Sequence, residues 1–193
     1  MYGGCGKVPV KMTEGRVIVD SDMDFAAAVA GSEAPREVLE ALCLIDCRYI
    51  GYEGCLHAGQ IVAHRELAGE IRDLFALLEA ERFPVCRAAP IVRYGWSDEA
   101  SMAADNTSAF NYRRVAGTDR LSRHALGRAV DINPFRNPAI TLDGAITPAG
   151  ASYQPGRPGT FSDGHPAVQA FQARGWRWGG HFTHLHDFHH FEK

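Results

Sequence analysis

Apolar positions recur at helical spacing most clearly within residues 64–82, where Leu67, Ile71, Leu74, Phe75 and Leu78 fall on one face. Phe83-Pro84 marks the end of that helix, because the residue before a proline avoids helical geometry. Ahead of it, Leu44–Ile50 and Gly59–Ala63 read as strands. Gly51-Tyr52-Glu53-Gly54 between them has turn chemistry, so the pattern predicts a hairpin. A short helix is expected over Pro35–Leu42, with the proline in its first turn. Beyond the long helix, Val85–Val92 reads as a strand, Ser97–Thr107 as a polar loop and Ser108–Val115 as a second strand. Residues 133–164 are rich in Pro and Gly and have little periodicity. Loops of that length are uncommon unless functional, so this one is expected to border a cleft; a solvated insertion is the alternative. Pro166–Arg174 reads as a short helix stopped by Gly175, and the final strand carries His190, Phe191 and Glu192. Together these elements predict an α+β fold, a small single domain with an antiparallel sheet and helices packed on one side. Residues 1–34 read as an N-terminal arm or extension, with a short strand at Val17-Ile18-Val19, and residues 35–193 as the domain proper.

Composition narrows the functional classes. The chain has 193 residues, enough for one domain with a real core, and a net charge of −3. With no basic stripe, nucleic acid is not an expected partner. No run of eighteen apolar residues exists, so no membrane span is expected. The five cysteines, Cys5, Cys43, Cys47, Cys55 and Cys86, lack C-x-x-C spacing, which argues against a structural zinc site built from thiolates. Cys43 and Cys86 are expected as buried thiols.

Two segments carry the chemistry. One is Ser122-Arg123-His124-Ala125-Leu126-Gly127-Arg128-Ala129-Val130-Asp131; the other is Asp187-Phe188-His189-His190-Phe191-Glu192. Read together as S-x-H-x-x-G-x-A-x-D and D-x-x-H-F-E, they supply His124, Asp131 and His190 as three metal ligands and leave Asp187 as a carboxylate base. Three protein ligands with an open position suit a catalytic zinc, whose fourth site takes water. The seven-residue step from His124 to Asp131 suits a loop running into a strand, with Gly127 permitting a turn or a close backbone approach. Glu192 shares a strand face with His190 and is expected to orient its imidazole, with an exposed terminal carboxylate as the alternative. Ser122 is expected to bond a ligand or substrate, or to act as a turn or cap residue. His184 and His189 read as incidental members of a His-rich tail, and His181 and His186 as intermediate. An H-E-x-x-H helix is absent.

The paired motifs, with Asn106–Arg113, Asp131-Ile132-Asn133-Pro134 and Gly175–Gly180, resemble the D-Ala-D-Ala carboxypeptidase-like zinc peptidases. The branch most similar is that of the L-Ala-D-Glu endopeptidases. The resemblance runs from about Val38 to Lys193. It implies a hedgehog/D,D-peptidase-like fold, a zinc cofactor and a peptidoglycan stem peptide as substrate. It implies an arginine that stabilises the oxyanion, best matched by Arg113, with Arg120 as the alternative. The family's usual residue after Trp-Gly-Gly is Asp. Here it is His181, and His181 or His186 is expected to contact substrate or a transition-state oxygen. Within the family, cleavage between L-Ala and D-Glu competes with release of terminal D-Ala. A non-catalytic zinc-containing module that binds cell wall or protein is the contrasting expectation, as is a wall-binding protein whose catalysis has decayed. The chain is expected to act as a monomer outside the cytoplasm, with its signal peptide absent from this sequence or with release by lysis, since Met1–Lys7 has no hydrophobic signal core.

Overall fold

The computed structural model describes residues 17–193. Its elements, in chain order, begin with β1 (Val17–Val19), α1 (Phe25–Ala28), α2 (Arg36–Ala41), β2 (Leu42–Ile50), β3 (Leu56–His64) and α3 (Ala68–Ala80). Then come β4 (Arg87–Ala88), α4 (Asp98–Ala103), β5 (Asn106–Thr107), β6 (Ala129–Asp131), β7 (Ala139–Thr141) and β8 (Ile146–Thr147). The chain closes with α5 (Pro166–Ala173), β9 (Arg177–Trp178), β10 (Leu185–Asp187) and β11 (His190–Glu192). The class is α+β, with helices mixed among several small sheets. Their orders are β1-β3-β2, β10-β7-β8, β6-β11-β9 and β4-β5. Most pairings are antiparallel, but β1 runs parallel to β3 and β4 parallel to β5. Among the described residues no helix is long and apolar enough to cross a membrane.

The β2–β3 hairpin is the largest pairing, with Leu42 opposite His64 and Ile50 opposite Leu56. Its turn closes through Gly51 N–H on Cys55 O at 2.9 Å and Gly54 N–H on Gly51 O at 3.0 Å. Helix α3 lays Ile71, Leu74, Phe75 and Leu78 on this sheet, as its periodicity requires, and all four are buried. The same core receives Val130, Ile132, Phe171, Trp178 and Phe191. Phe191 stacks on Phe171 at 4.1 Å between ring centroids and meets Phe161 edge-on at 5.1 Å. The strand that follows His190 is therefore nailed into the core by its next residue.

Three expectations fail, for local reasons. Val85–Val92 is not a strand: only Arg87–Ala88 pairs, and Pro90 then leads into a 3-10 turn over Ile91–Tyr94. The apolar run reports burial, while the side chain of Asn106 takes the place of a strand partner. It accepts from Ala89 N–H and donates to Ala89 O, both at 3.0 Å. Ser97–Thr107 is not a loop, because Ser97 caps α4 by accepting from Ala100 N–H at 3.1 Å, with Asp98 and Glu99 in the first turn. Ser108–Val115 forms no strand. It passes from one neighbour to the next, Ser108 bridging Asp131, Phe110 N–H donating to Val62 O and Asn111 N–H donating to His124 O. Asn106, Thr107 and Asn111 are buried structural residues in this arrangement.

Residues 17–34 contribute β1 and α1 to the packed structure, while residues 1–16, including Cys5, lie outside the described residues. Asp20 follows β1 and ties it to the hairpin. His57 Nδ1 sits 2.7 Å from Asp20 Oδ2, its Nε2 meets Glu53 Oε1, and Tyr49 donates to Asp20 Oδ2 at 2.5 Å. Burial of His57 opposes its charge, but hydrogen bonds and attraction from Glu53 and Asp20 prevail and hold its pKa above the ordinary value. The stabilisation from protonated His57 is thus complete below about pH 6.5 and is lost as pH rises through the elevated folded value. Urea unfolding at about pH 6 and about pH 9 should show wild type losing more stability on alkalinisation than His57→Gln.

Candidate metal centre

Strands β6 and β11 pair antiparallel, with Asp131 directly opposite His190. That register sets the two side chains beside each other. His124 arrives from a 3-10 turn, Arg123–Leu126, whose N-terminus is capped by Ser122 Oγ accepting from His124 N–H at 3.2 Å. Gly127 ends the turn with φ +63° and lies so close to β3 that a Cβ would come within 2.7 Å of His64 N. Both readings of Gly127, a turn and a close approach, hold at once, and His64 N–H donates to Gly127 O at 2.9 Å. Ser122 is thus a cap residue that also lines the cleft.

Three potential ligand atoms converge. His124 Nε2 lies 3.1 Å from Asp131 Oδ2 and 3.1 Å from His190 Nδ1, and His190 Nδ1 lies 2.9 Å from Asp131 Oδ1. All three residues are buried. The far nitrogens have other partners. His124 Nδ1 faces Ala109 O at 2.5 Å, and His190 Nε2 faces Glu192 Oε2 at 3.4 Å. In the neutral tautomers these contacts imply, both inward nitrogens are lone pairs, and they face a carboxylate. Three acceptors cannot sit this close without positive charge among them. Ligand bonds of about 2.0–2.2 Å around a tetrahedral ion put its ligand atoms about 3.3 Å apart, close to the separations seen here. The donor set therefore fits a divalent cation.

The electrostatics express the same demand. Burial favours the neutral acid at Asp131, yet the imidazoles of His124 and His189, with hydrogen bonds from His124 and His190, hold it well below the usual carboxylate range. Burial opposes charge on His190, but its contacts with Asp131 and Glu192 and the nearby charge of Asp187 push it up to about 10.

Asp187 comes from a different sheet. It ends β10 opposite Ala139 of β7 and lines the cleft with His124, Asp131 and His190. The second glycine-flanked tryptophan prepares its place, since a Cβ on Gly179 would meet Asp187 Cβ at 2.8 Å. Residues 133–164 supply no lining to the cleft. Their part is to brace Asp187 from behind through β7, which corrects the expectation that they border the opening. Arg113 lines the cleft with its Nη2 2.9 Å from Asp98 Oδ2, while its buried Nε has no hydrogen-bond partner among the described residues. Arg120 lines the same cleft. Glu192 spans His190 and Arg177, the latter at 3.2 Å.

His181 is not brought to the cleft. Its Nε2 lies 3.0 Å from Asp163 Oδ1 and its Nδ1 3.2 Å from Gln172 Nε2, on the exposed side of Trp178. His186 also faces elsewhere, against Gly180 O and Phe188. His184, read as incidental, lines the opening. His189, read the same way, is buried in the site. Its Nδ1 is 2.7 Å from Asn137 O, and its Nε2 is 2.9 Å from Asp187 Oδ1 and 3.9 Å from Asp131 Oδ2. Although burial opposes its charge, Asp187 and Asp131 raise its pKa to about 9. Asp187 Oδ1 is itself buried and, despite that proximity, receives no well-directed hydrogen bond. Away from the site, Cys43, Cys47 and Cys86 are thiols, raised in pKa first by burial.

Residues 116–193 match the model of a family described as D-alanyl-D-alanine carboxypeptidase. The matched stretch holds His124, Asp131, Asp187 and His190, and the family is the one the two motifs resemble. No curated protein and no solved structure matches the chain.

Replacing His124 by Ala is expected to remove stoichiometric metal from the purified protein, as read by elemental analysis, while leaving the fold intact by circular dichroism. Gly127→Ala is expected to cost more than about 1 kcal/mol in urea unfolding, because the left-handed backbone and the approach to β3 both exclude a Cβ. It should also weaken metal affinity by displacing His124 relative to Asp131.

Proposed function

We propose that this chain, whose residues 116–193 match the D-alanyl-D-alanine carboxypeptidase family, is a zinc-dependent peptidase acting on peptidoglycan stem peptides. The observation that carries the reading is the convergence of His124 Nε2, Asp131 and His190 Nδ1, with the outer nitrogens engaged and Asp187 lining the same cleft. A bound zinc supplies an acidified water and polarises a carbonyl. The chain supplies the rest. Asp187 accepts a proton at its carboxylate and returns it to the departing amine, as a general base and then a general acid. Arg113, with a free Nε in the cleft wall, stabilises negative charge developing on the carbonyl oxygen. Glu192 orients the His190 ring and Ala109 O orients that of His124, so the ligands are fixed before substrate arrives. His189 anchors on Asn137 O and sits against Asp187, where it holds the base beside the ligands.

The family resemblance also carries the hedgehog/D,D-peptidase-like fold and an extracytoplasmic place of action into this proposal. The bond cut lies between L-Ala and D-Glu or before a terminal D-Ala. The cleft, about 480 Å³ in volume, accommodates a peptide of a few residues.

Mass spectrometry of peptidoglycan fragments incubated with the zinc-loaded protein tests the reading. New amino-terminal D-Glu products would identify the endopeptidase, and loss of one terminal alanine the carboxypeptidase. Intact fragments after incubation with folded, metal-loaded protein would overturn the hydrolase reading in favour of a binding module. Asp187→Asn is expected to keep wild-type metal content and to lower kcat by about 10²–10⁴-fold, the range for a lost general base.

A further inference from the structure

The cleft holds four guanidinium groups, and they divide into two kinds. Arg113 and Arg177 are paired, at 2.9 Å with Asp98 and at 3.2 Å with Glu192. Arg120 and Arg123 line the same cleft, are exposed, and have no carboxylate within ion-pair distance among the described residues. The remaining carboxylates of the cleft are committed: Asp131 to the two ligand imidazoles, Asp187 against His189. With a divalent ion on Asp131 the charges of Asp131 and Asp187 would balance; Arg123 would keep only a longer-range attraction to Glu192, which is already paired with Arg177, and Arg120 would face no carboxylate at ion-pair distance. The chain as a whole has a net charge of −3, so the opening with its ion in place would be opposite in sign to the protein around it.

Both arginines are carried on ordered backbone. Residues 113–122 form a tight return of the chain: Ser122 N–H donates to Arg113 O at 3.0 Å, Val115 N–H donates to Arg120 O at 2.8 Å, and Arg114 bridges Leu121. Arg123 opens the 3-10 turn that carries His124, and its carbonyl accepts from Arg128 N–H at 2.9 Å. One unpaired cation is therefore fixed a single residue from a metal ligand. The other stands on the arm opposite Arg113.

We propose that Arg120 and Arg123 determine specificity by reading a free carboxylate beside the bond to be cut, so that the substrate is an anionic peptide disfavoured once that carboxylate is amidated. The proposal rests on the peptidase reading above and deepens it. A guanidinium fork matches a carboxylate with two parallel hydrogen bonds and matches a carboxamide poorly. A glutamate joined through its side-chain carboxyl leaves such a group free on its α-carbon.

The test uses two stem peptides that differ only in an α-carboxylate or α-carboxamide on glutamate. Two quantities are measured: kcat/KM with the zinc-loaded protein, and binding of fluorescent versions to the metal-free protein. Wild type is expected to favour the carboxylate peptide on the order of tenfold in both. The double variant Arg120→Gln/Arg123→Gln should treat the two alike, through KM, with kcat for the amidated peptide little changed. Arg174→Gln, which removes a cation far from the cleft, should keep the wild-type preference. Equal binding of both peptides by wild type, or a preference that survives in the double variant, overturns the proposal. Binding preference without cleavage of either peptide would support the carboxylate reading while overturning the peptidase reading.

Discussion

The site depends on one cross-strand register, Asp131 opposite His190 in the β6–β11 pair. Because side chains alternate along a strand, a slip of one residue would turn His190 into the core and Phe191 into the cleft. Phe191, stacked on Phe171 and wedged against Phe161, makes that slip costly. Hydrophobic packing thus sets the geometry of the candidate metal centre: the apolar Phe191 beside His190 decides which way the imidazole points. The third residue of the cluster, His124, is added by a turn that only glycine at position 127 allows to lie against β3.

The same arrangement explains why so many histidines can share a small volume. Each buried imidazole has one nitrogen committed to an outward acceptor: Ala109 O for His124, Glu192 for His190, Asn137 O for His189. The inward nitrogens then face acids. Such a cluster is stable only when positive charge fills it, and that charge can be shared protons or a bound cation.

Much of the fold was legible in the chain. The long helix and the hairpin appear where the 3.6-residue and turn patterns place them, since the helix buries one face on the sheet and the hairpin is closed by its own local turn. The segments misread are those with partners of mixed kind. Val85–Val92 is apolar because it is buried, yet a side chain, Asn106, satisfies its backbone. Ser97 was a helix cap hidden in a polar stretch. In the site, His124, Asp131 and His190 are legible only from the two motifs taken together and the family they resemble, since an H-x6-D spacing alone is weak evidence. His189 reads as incidental because it sits in a His-rich tail, and strand alternation would in any case put a neighbour of His190 on the opposite face. That rule lapses here: Phe188 and His189 lie between β10 and β11, where the chain turns from one sheet to another. The signal available was the short span itself, since only two residues separate Asp187 from His190. His181 took its interest from sequence position alone, and the exposed Asp163 and Gln172 occupy its ring instead.

Asp187 and the ligand pair Asp131–His190 are held by separate sheets, the first braced by β7 and the second by β6 and β11. The two sheets meet at the cleft, where Phe188 and His189 join β10 to β11, so Asp187 and the Asp131–His190 pair answer to different packing behind them. Behind Asp187 stand Ala139 of β7 and the close approach of Gly179, and behind His190 stands the stacked Phe191. A substitution behind residues 139–141 or 185–187 therefore reaches the cleft by one route and a substitution behind Phe191 by another, so the two halves of the opening can be perturbed one at a time from the far side of the sheets.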